Sequence, residues 1–199
     1  MKLLTTMLLL SSLAFATTEI YDLKSDGKQI GTLSVKTKTL ANKQREYKTH
    51  LKIAVDSLLF TYQYEYREHA LFDKKGLLRF KVEEIEDGEK KSMRAKREGN
   101  KLLFTNGKEI LLTQIDVTPF DIDEPSQYDN MDIKEFTLKS FDALTGEVFT
   151  EMYKVLQSDT QYRLEKRTSR QNEVEFMTIS KEGKLLRVEC VDFEIILRK

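Results

Sequence analysis

The chain has 199 residues, in which 33 lysines and arginines balance 33 aspartates and glutamates. Nucleic-acid-binding proteins normally carry a basic excess, so this balance argues against that class of function. The single cysteine, Cys190, excludes an intramolecular disulfide, and its strand-like surroundings predict a thiol that behaves as a small buried apolar side chain.

The first sixteen residues have the pattern of a secretory signal peptide. Lys2 provides the positive end, residues 3–13 form an apolar stretch, and residues 14–16 (Ala-Phe-Ala) form a small-residue cleavage site. A membrane span needs about 20 apolar residues, so the stretch is too short to be one. We expect cleavage after Ala16, no transmembrane segment in the mature chain, and export, most simply to a bacterial periplasm. Residues 17–199 are then expected to form a single β-rich domain.

The rest of the chain consists of strand-like runs separated by polar turns, most of which carry a glycine at the tip. Asp-Gly and Asn-Gly turns favour tight hairpins, because glycine adopts positive φ without a steric penalty. Apolar and polar residues alternate along the runs, which predicts antiparallel strands with one buried and one wet face. Strands this long should twist and coil. We therefore predict a mainly all-β fold: a large antiparallel meander curled into an open or half-closed barrel. The predicted strands cover residues 19–24, 29–39, 45–55, 59–72, 77–86, 90–98, 101–104, 109–113, 134–141, 147–156, 161–168, 173–179 and 185–197.

Gly31 differs from the other glycines because it lies inside a predicted strand. Glycine within a strand often marks a bulge or a sharp bend. Two explanations are open at this point. Gly31 either allows the first hairpin to bend around the core, or allows a ligand to approach the backbone.

The strand pattern is interrupted over residues 114–133, which contain both prolines and six acidic residues but no lysine or arginine. Proline disfavours a central strand, and long irregular connections often act as binding loops or lids. We expect at most a short helix in this connection, over residues 126–131 with Ser126 as its cap. The acidic residues lack the spacing of an EF-hand, so a solvated loop is favoured over a metal site.

The basic residues of the segment 90–97 lie opposite acidic residues of the segment 83–89 across the turn at Gly88. Cross-strand pairs of opposite charge stabilise a hairpin by about 0.2–1 kcal/mol each. We expect a solvated ladder of ion pairs here, in preference to a patch for phosphate or lipid headgroups.

The two histidines provide no recognisable catalytic set. His50 falls on the charged face of its predicted strand, and His69 follows Arg67 and Glu68 near the end of another. No serine elbow, cysteine partner or recurring metal-ligand spacing accompanies them. No catalytic residue, metal ligand or cofactor is therefore predicted. An enzyme acting through His69, Glu68 and the acidic connection is a third and less favoured hypothesis.

The most suggestive pattern is an aromatic stripe at alternate positions of one predicted strand, formed by Phe60, Tyr62, Tyr64 and Tyr66. Alternate residues of a strand share one face. The stripe forms either the packed concave core of a coiled sheet or an amphipathic lining for an apolar ligand, since tyrosine combines a ring with a polar hydroxyl. The predicted ligand-binding residues are this stripe, Gly31, and Tyr128 in the proline-containing connection.

Several turn motifs resemble those of exported bacterial domains of unknown function. The resemblance implies a curled antiparallel sheet over essentially the whole mature chain, and it carries over no catalytic residue. In shape, such a sheet is also similar to the periplasmic lipoprotein carriers, whose curled sheet shelters acyl chains. The motifs are Tyr21-Asp22-Leu23, residues 27–32 (Gly-Lys-Gln-Ile-Gly-Thr), residues 64–68 (Tyr-Glu-Tyr-Arg-Glu), Gly76-Leu77-Leu78, residues 125–128 (Pro-Ser-Gln-Tyr), residues 141–147 (Phe-Asp-Ala-Leu-Thr-Gly-Glu) and Gly183-Lys184-Leu185.

Taken together, these features favour a non-enzymatic periplasmic protein that binds an apolar or amphipathic small molecule within the curled sheet. The alternative is a scaffold or interaction module of the cell envelope, in which the concave face is simply core.

Overall fold

The computed structural model describes residues 16–40, 43–56, 61–116, 135–157 and 160–198. The described residues form fourteen strands of one antiparallel sheet, which confirms the mainly all-β meander. A single 3₁₀ turn, Leu112–Gln114, follows the eighth of these strands. The strands are β1 (Thr17–Ser25), β2 (Lys28–Thr39), β3 (Arg45–Asp56), β4 (Thr61–Asp73), β5 (Gly76–Glu86), β6 (Glu89–Glu98), β7 (Lys101–Phe104), β8 (Glu109–Leu111), β9 (Glu135–Phe141), β10 (Val148–Gln157), β11 (Gln161–Thr168), β12 (Gln171–Ser180), β13 (Leu185–Glu189) and β14 (Glu194–Leu197).

The order of strands in the sheet is β8-β7-β6-β5-β4-β3-β2-β1-β14-β13-β12-β11-β10-β9. The first and last strands of the chain therefore pair in the middle of the sheet, with Leu23 opposite Ile195. Strands β8 and β9, which follow one another along the chain, form the two opposite edges. The sheet thus has two halves, β2–β8 and β9–β13, on either side of the β1–β14 pair.

The two edges approach each other without forming a ladder. The Asp116 amide donates to the Lys139 carbonyl at 2.7 Å, and the Lys139 amide donates to the Asp116 carboxylate at 2.7 Å. Phe141 at the end of β9 packs against Phe80 of β5 and Phe104 of β7, with ring centroids 5.4 and 5.7 Å apart. The sheet is therefore curled into a half-closed, barrel-like shape, as predicted.

The hydrophobic core lies on the concave face of the curled sheet. Along β3, the buried Leu51 and Ile53 alternate with the exposed Lys48 and Lys52, which is the pattern of a strand with one wet face. Fully burying a large aliphatic side chain contributes about 1.5–3 kcal/mol. With Cys190 as the only cysteine, stability comes from this packing and not from disulfide cross-links.

Gly31 lies beside a β-bulge in the first hairpin. Leu23 pairs with Gly31 and Lys24 pairs with Gln29, so that Ile30 is the extra residue of β2. A Cβ atom on Gly31 would lie 2.2 Å from the carbonyl oxygen of Lys52 in β3. Glycine therefore allows β2 and β3 to approach closely where the hairpin bends, which is the structural explanation of this residue.

The prediction of a single final strand over residues 185–197 is wrong. Two strands, β13 and β14, are joined by a turn in which the Cys190 amide donates to the Phe193 carbonyl at 2.9 Å. Val191 lies in this turn and is 68% exposed, whereas a continuous strand would place it on the same face as the buried Ile195. The turn contains neither glycine nor proline, and the apolar alternation continues through it, so the sequence carried no signal for the break.

Several expectations fall on parts of the chain that the structure does not describe. The signal peptide lies almost wholly before residue 16, and the predicted helix at residues 126–131 lies within the segment 117–134. Among the residues that are described, none belongs to a helix long and apolar enough to cross a membrane.

Candidate functional site

The tyrosines of the predicted stripe lie on the concave face of β4, as their alternate spacing requires. Tyr66 is 4% exposed and Tyr64 is 9% exposed, whereas Tyr62 is only partly buried. The stripe therefore runs from the core towards solvent. Phe60, its first predicted member, and Tyr128 both lie outside the described residues.

Each of the three tyrosine hydroxyls donates a hydrogen bond to a glutamate. Two of these glutamates lie on β5, which pairs with β4, and the third lies on β4 itself. We call the six residues the tyrosine–glutamate ladder. Its hydrogen bonds join Tyr62 to Glu86 at 3.1 Å, Tyr64 to Glu84 at 3.0 Å and Tyr66 to Glu68 at 2.9 Å.

Burial raises the pKa of all three tyrosine hydroxyls above the ordinary value, and the neighbouring glutamate carboxylates raise it further. The hydroxyls therefore stay protonated and act as hydrogen-bond donors. The carboxylate of Asp142, in the turn between β9 and β10, also contributes to the raised pKa of Tyr66. Phe141, the neighbour of Asp142, packs against Phe80 of β5, so the opposite half of the sheet lies close to the inner end of the ladder.

Glu68 is the inner end of the ladder. It is 5% exposed, and its Oε2 accepts the hydrogen bond from Tyr66. Within the described part of the chain, its Oε1 has no hydrogen-bond partner. Burial raises the pKa of the Glu68 carboxyl to about 8, and the hydrogen bond from Tyr66 only partly opposes this. The group is therefore mostly protonated at neutral pH, so it can donate a hydrogen bond as well as accept one.

The outer end of the ladder carries charge. Lys91 of β6 lies on the same face, with its Nζ 3.7 Å from Glu84 Oε1, and its side chain is largely exposed. Glu86 lies opposite Glu89 of β6, so two acidic residues face each other beside Tyr62. The concave surface near this end of the ladder is therefore acidic.

Gly31 shares a register row with the ladder. It lies opposite Ile53 of β3, which in turn lies opposite Tyr64 of β4. The structure thus places Gly31, Tyr62, Tyr64 and Tyr66 in one region of the sheet.

A second polar cluster lies on the concave face of the other half of the sheet. Lys166 of β11 is 3% exposed, and its Nζ lies 2.9 Å from Glu175 Oε2 and 3.4 Å from Glu151 Oε1. Glu151 Oε2 accepts hydrogen bonds from Ser140 Oγ at 2.6 Å and from the Tyr153 hydroxyl at 3.2 Å. We call these five residues the Lys166 cluster. In this cluster the positive charge of Lys166 lies beside the buried carboxylate of Glu151, whereas Glu68 in the ladder is hydrogen-bonded to a tyrosine hydroxyl.

Cys190 lies near the Lys166 cluster and packs against the core. Burial raises the pKa of its thiol to about 12, and the negative charge of Glu175 contributes to the increase. Reactive cysteines have a lowered pKa, because the thiolate is the nucleophile. The structure therefore supports the predicted role as a small apolar side chain.

The two histidines lie on the convex face. His50 Nε2 is 2.5 Å from Glu65 Oε1, and His69 Nε2 is 2.7 Å from Glu46 Oε1. Glu68 points to the opposite face from His69, because adjacent residues of a strand alternate. His69 and Glu68 therefore cannot act together in one active site, as the enzyme hypothesis required.

Among the described residues, no three His, Cys, Asp or Glu side chains are grouped so that they could hold a metal ion.

The ion-pair ladder predicted for the β5–β6 hairpin forms only near its turn. Lys90 Nζ lies 3.3 Å from Glu83 Oε1, and Lys91 Nζ lies 3.7 Å from Glu84 Oε1. Farther along both strands, basic residues face one another across the hairpin. The expectation of opposite charges is therefore wrong for that end.

From the sequence, Glu68 was considered only as a partner of His69, and Glu84 and Glu86 only as members of an ion-pair ladder. Their hydrogen bonds to the tyrosines and the whole Lys166 cluster were missed. The spacing of residues contained part of the signal. Glu68 continues the alternate positions of Tyr62 to Tyr66, and Glu84 and Glu86 continue those of Phe80 and Val82. A period of two would have placed these carboxylates on the concave face.

Comparisons with known proteins match most of the chain. Residues 21–192 match the family described as Domain of unknown function (DUF6134). A β-barrel-like protein of domain of unknown function DUF1849 from Brucella abortus is similar in structure, with a TM-score of 0.67 and 15% identity over 95% of this chain and 98% of that one. A DUF1089 family protein from Pseudomonas aeruginosa has a TM-score of 0.44 and 14% identity over 92% and 94% of the two chains. No curated protein matches the sequence.

The family match confirms the resemblance to domains of unknown function, and the Brucella abortus structure confirms the barrel-like curled sheet that it implied. The Brucella abortus structure shares the fold alone, since the identity is low.

Proposed function

We propose an exported ligand-binding role for this chain, which belongs to the family described as Domain of unknown function (DUF6134). After cleavage behind Ala16, the curled sheet is a periplasmic protein that binds an amphipathic small molecule without catalysis. The binding region is the outer end of the tyrosine–glutamate ladder, around Tyr62 and Tyr64.

The observation that supports this proposal is the gradient of exposure along the ladder, from 4% at Tyr66 to a partly exposed Tyr62. Ligand pockets combine apolar walls with a few convergent polar groups. The rings of Tyr62 and Tyr64 provide the apolar wall, and their hydrogen-bonded carboxylates, Glu86 and Glu84, provide the polar groups. All four lie on one face of two paired strands.

The charge of the ladder indicates the class of ligand. Glu84, Glu86 and Glu89 lie near its outer end, with Lys91 as the neighbouring cation. Like charges repel, and the repulsion is stronger where water is partly excluded. We therefore infer a neutral or cationic head, such as a hydroxyl or an amine, attached to an apolar tail. A free fatty acid fits this surface poorly.

The binding proposal is tested with Nile red, a neutral amphipathic dye. The chain has eight tyrosines, so tyrosine emission does not single out the ladder; binding is followed by the emission of the dye, and its loss in the ladder variants assigns the site. The variants are Tyr62→Phe and Tyr64→Phe, each of which removes one hydroxyl-to-glutamate hydrogen bond. The matched control is Tyr153→Phe, which removes the same type of bond from the Lys166 cluster.

We expect the dye to bind, and we expect each ladder variant to weaken binding several-fold while the control does not. Absence of binding, or equal weakening by the control, would contradict the proposal. Native mass spectrometry of protein extracted gently from the periplasm should also show a bound small molecule.

Export is tested separately, by N-terminal sequencing of the protein from fractionated cells. We expect it in the periplasmic fraction with Thr17 as its first residue. Recovery from the cytoplasm with an intact N-terminus would contradict the proposed location and leave the binding proposal to its own test.

A second candidate function, a self-associating module of the cell envelope, is favoured by apolar side chains on the outer face of β10. Val148, Met152 and Leu156 lie at alternate-face positions and are 43%, 44% and 38% exposed. β10 lies next to the edge strand β9, where a second copy of the chain could pack. Sedimentation velocity of the wild-type protein and of Met152→Lys tests this candidate. A monomer at all concentrations would contradict it.

A further inference from the structure

The convex face carries a concentration of positive charge across β5 and β6. Arg79 lies directly opposite Lys96, and Lys81 lies directly opposite Arg94. We call these four residues the convex tetrad. Side chains that face each other directly on an antiparallel pair have Cβ atoms about 4.5–5.5 Å apart, and like charges in such positions are destabilising. Two adjacent pairs of facing cations therefore lower the stability of the folded protein, so stability does not explain their presence.

The charge of the tetrad is only partly compensated. Lys81 Nζ lies 2.8 Å from Glu83 Oε1, and Lys96 Nζ lies 3.6 Å from Glu98 Oε1. The guanidinium groups of Arg79 and Arg94 form no ion pair with any other residue that the structure describes. Near the turn of the same hairpin, both Lys90 and Lys91 contact glutamates: Lys90 shares Glu83 with Lys81, and Lys91 lies near Glu84.

The tetrad surrounds a groove with an apolar floor. The groove has a volume of about 410 Å³, and its lining includes Leu71 and Leu103 together with the four cations. Leu71 is 5% exposed although it lies on the convex face of β4, outside the main core. The groove therefore combines a buried apolar base with a cationic rim.

Basic side chains extend beyond the groove as a row across neighbouring strands, made of four lysines and arginines and one histidine. Each member of the row lies directly opposite the next, from β2 to β6. With strands about 4.8 Å apart, five members span roughly 19 Å. Glu46 lies beside this row and contacts Lys48 and His69, so the compensation is greater there than at the tetrad. The row is Lys36, Lys48, His69, Lys81 and Arg94.

We propose that the groove of the convex tetrad binds a phosphate group attached to an apolar body. Arginine binds phosphate through two parallel hydrogen bonds, and its guanidinium is well suited to this geometry. Arg79 and Arg94 supply these donors, Lys81 and Lys96 add positive charge, and the leucine floor contacts the apolar part of the ligand. A lipid headgroup and a soluble phosphate compound share this chemistry. The site lies on the opposite face from the tyrosine–glutamate ladder and does not depend on it.

The test uses two probes: inorganic pyrophosphate, followed by calorimetric titration, and vesicles of phosphatidylcholine with or without phosphatidylglycerol, followed by co-sedimentation. The variant is the double substitution Arg79→Gln/Arg94→Gln. The matched control is Lys90→Gln/Lys91→Gln, which removes the same net charge from the same hairpin at positions that already contact glutamates.

We expect the wild-type protein to bind at least one probe, and the arginine variant to bind it at least about tenfold more weakly, since two charge-assisted contacts are lost. The control should retain wild-type affinity. Pyrophosphate binding without vesicle binding identifies a soluble phosphate ligand, and binding only to vesicles with phosphatidylglycerol identifies a lipid headgroup.

Two results would overturn the proposal: no binding of either probe by the wild-type protein, or equal weakening in both variants, which would indicate diffuse attraction by net charge. Thermal unfolding checks that the variant is folded. Because the arginine variant relieves repulsion between facing cations, we expect its unfolding midpoint to be equal to or above that of the wild type.

Discussion

The two halves of the curled sheet bury a glutamate in different ways. In the half that contains β4 and β5, Glu68 has one tyrosine hydroxyl as its partner, and among the described residues no neighbouring cation lowers its pKa. In the half that contains β10 and β11, Glu151 lies beside Lys166 and accepts hydrogen bonds from Ser140 and Tyr153. Glu68 avoids a buried negative charge by keeping its proton, whereas the positive charge of Lys166 lies beside Glu151.

This difference indicates which half is available for a ligand. In the Lys166 cluster, Glu151 Oε1 also lacks a hydrogen-bond partner among the described residues, but it lies 3.4 Å from Lys166 Nζ, so its charge is compensated by the protein itself. In the tyrosine–glutamate ladder, Glu68 Oε1 has no partner among the described residues, and Tyr62 reaches towards solvent. Hydrogen-bonding capacity that the fold leaves unused in a partly apolar surface is what a polar ligand group requires.

The largest expected effect comes from removing the cation of the Lys166 cluster. Lys166→Met would leave Glu151 and Glu175 facing each other without the positive charge between them. Breaking a buried ion pair from one side costs about 3–5 kcal/mol. We expect this loss in the free energy of unfolding, measured with urea. The exposed Lys154→Met serves as the control and should change stability little. A loss at Lys166 as small as at Lys154 would contradict a buried pair.

The second prediction concerns pH and Glu68. Its pKa rises from 4.5 in the unfolded chain to about 8 in the folded protein, so the folded state holds the proton more tightly. Protonated Glu68 therefore stabilises the folded state. The contribution is complete below the unfolded pKa of 4.5 and is lost as the pH rises towards the folded pKa of about 8. Between about pH 5 and pH 7, stability should fall by about 2–3 kcal/mol because of this group.

Glu68→Gln tests the second prediction, since an amide does not titrate in this range. We expect the variant to lose the decline in stability with pH that the wild type shows, in urea unfolding at a series of pH values. The exposed Glu109→Gln should keep the wild-type slope. An unchanged slope in Glu68→Gln would mean that Glu68 titrates normally.

A smaller difference is expected between two tyrosine hydroxyls. Tyr66→Phe removes the hydrogen bond to Glu68, and leaving a buried polar group unsatisfied costs about 1–3 kcal/mol. Tyr153→Phe should cost less, because Glu151 keeps Ser140 and Lys166 as partners. Thermal or urea unfolding of both variants measures the comparison. Equal costs would show that the two carboxyls are equally well satisfied.

The fold was largely predictable because its signals are local. In the turns at Asp26-Gly27 and Asp87-Gly88, both central residues have positive φ, which is the geometry that tight hairpins require. The turn between β13 and β14 has neither glycine nor proline, and it was missed. Local turn chemistry therefore explains both the success and the failure.

The candidate site was only partly predictable. A period of two places Tyr62, Tyr64 and Tyr66 on one face, and that information lies within a single strand. Which carboxyl becomes neutral depends on burial, and the burial of Glu68 depends on the curl that brings Phe141 from the far edge onto the β5 and β7 rings. No pattern within one strand carries that information.

The most direct test of the central claim is ¹³C NMR of the glutamate side-chain carboxyl groups with and without saturating Nile red. We expect the dye to shift the resonances of Glu84 and Glu86 and to leave those of Glu151 and Glu175 unchanged. Shifts confined to the Lys166 cluster, or no shifts at all, would contradict the assignment of ligand binding to the tyrosine–glutamate ladder.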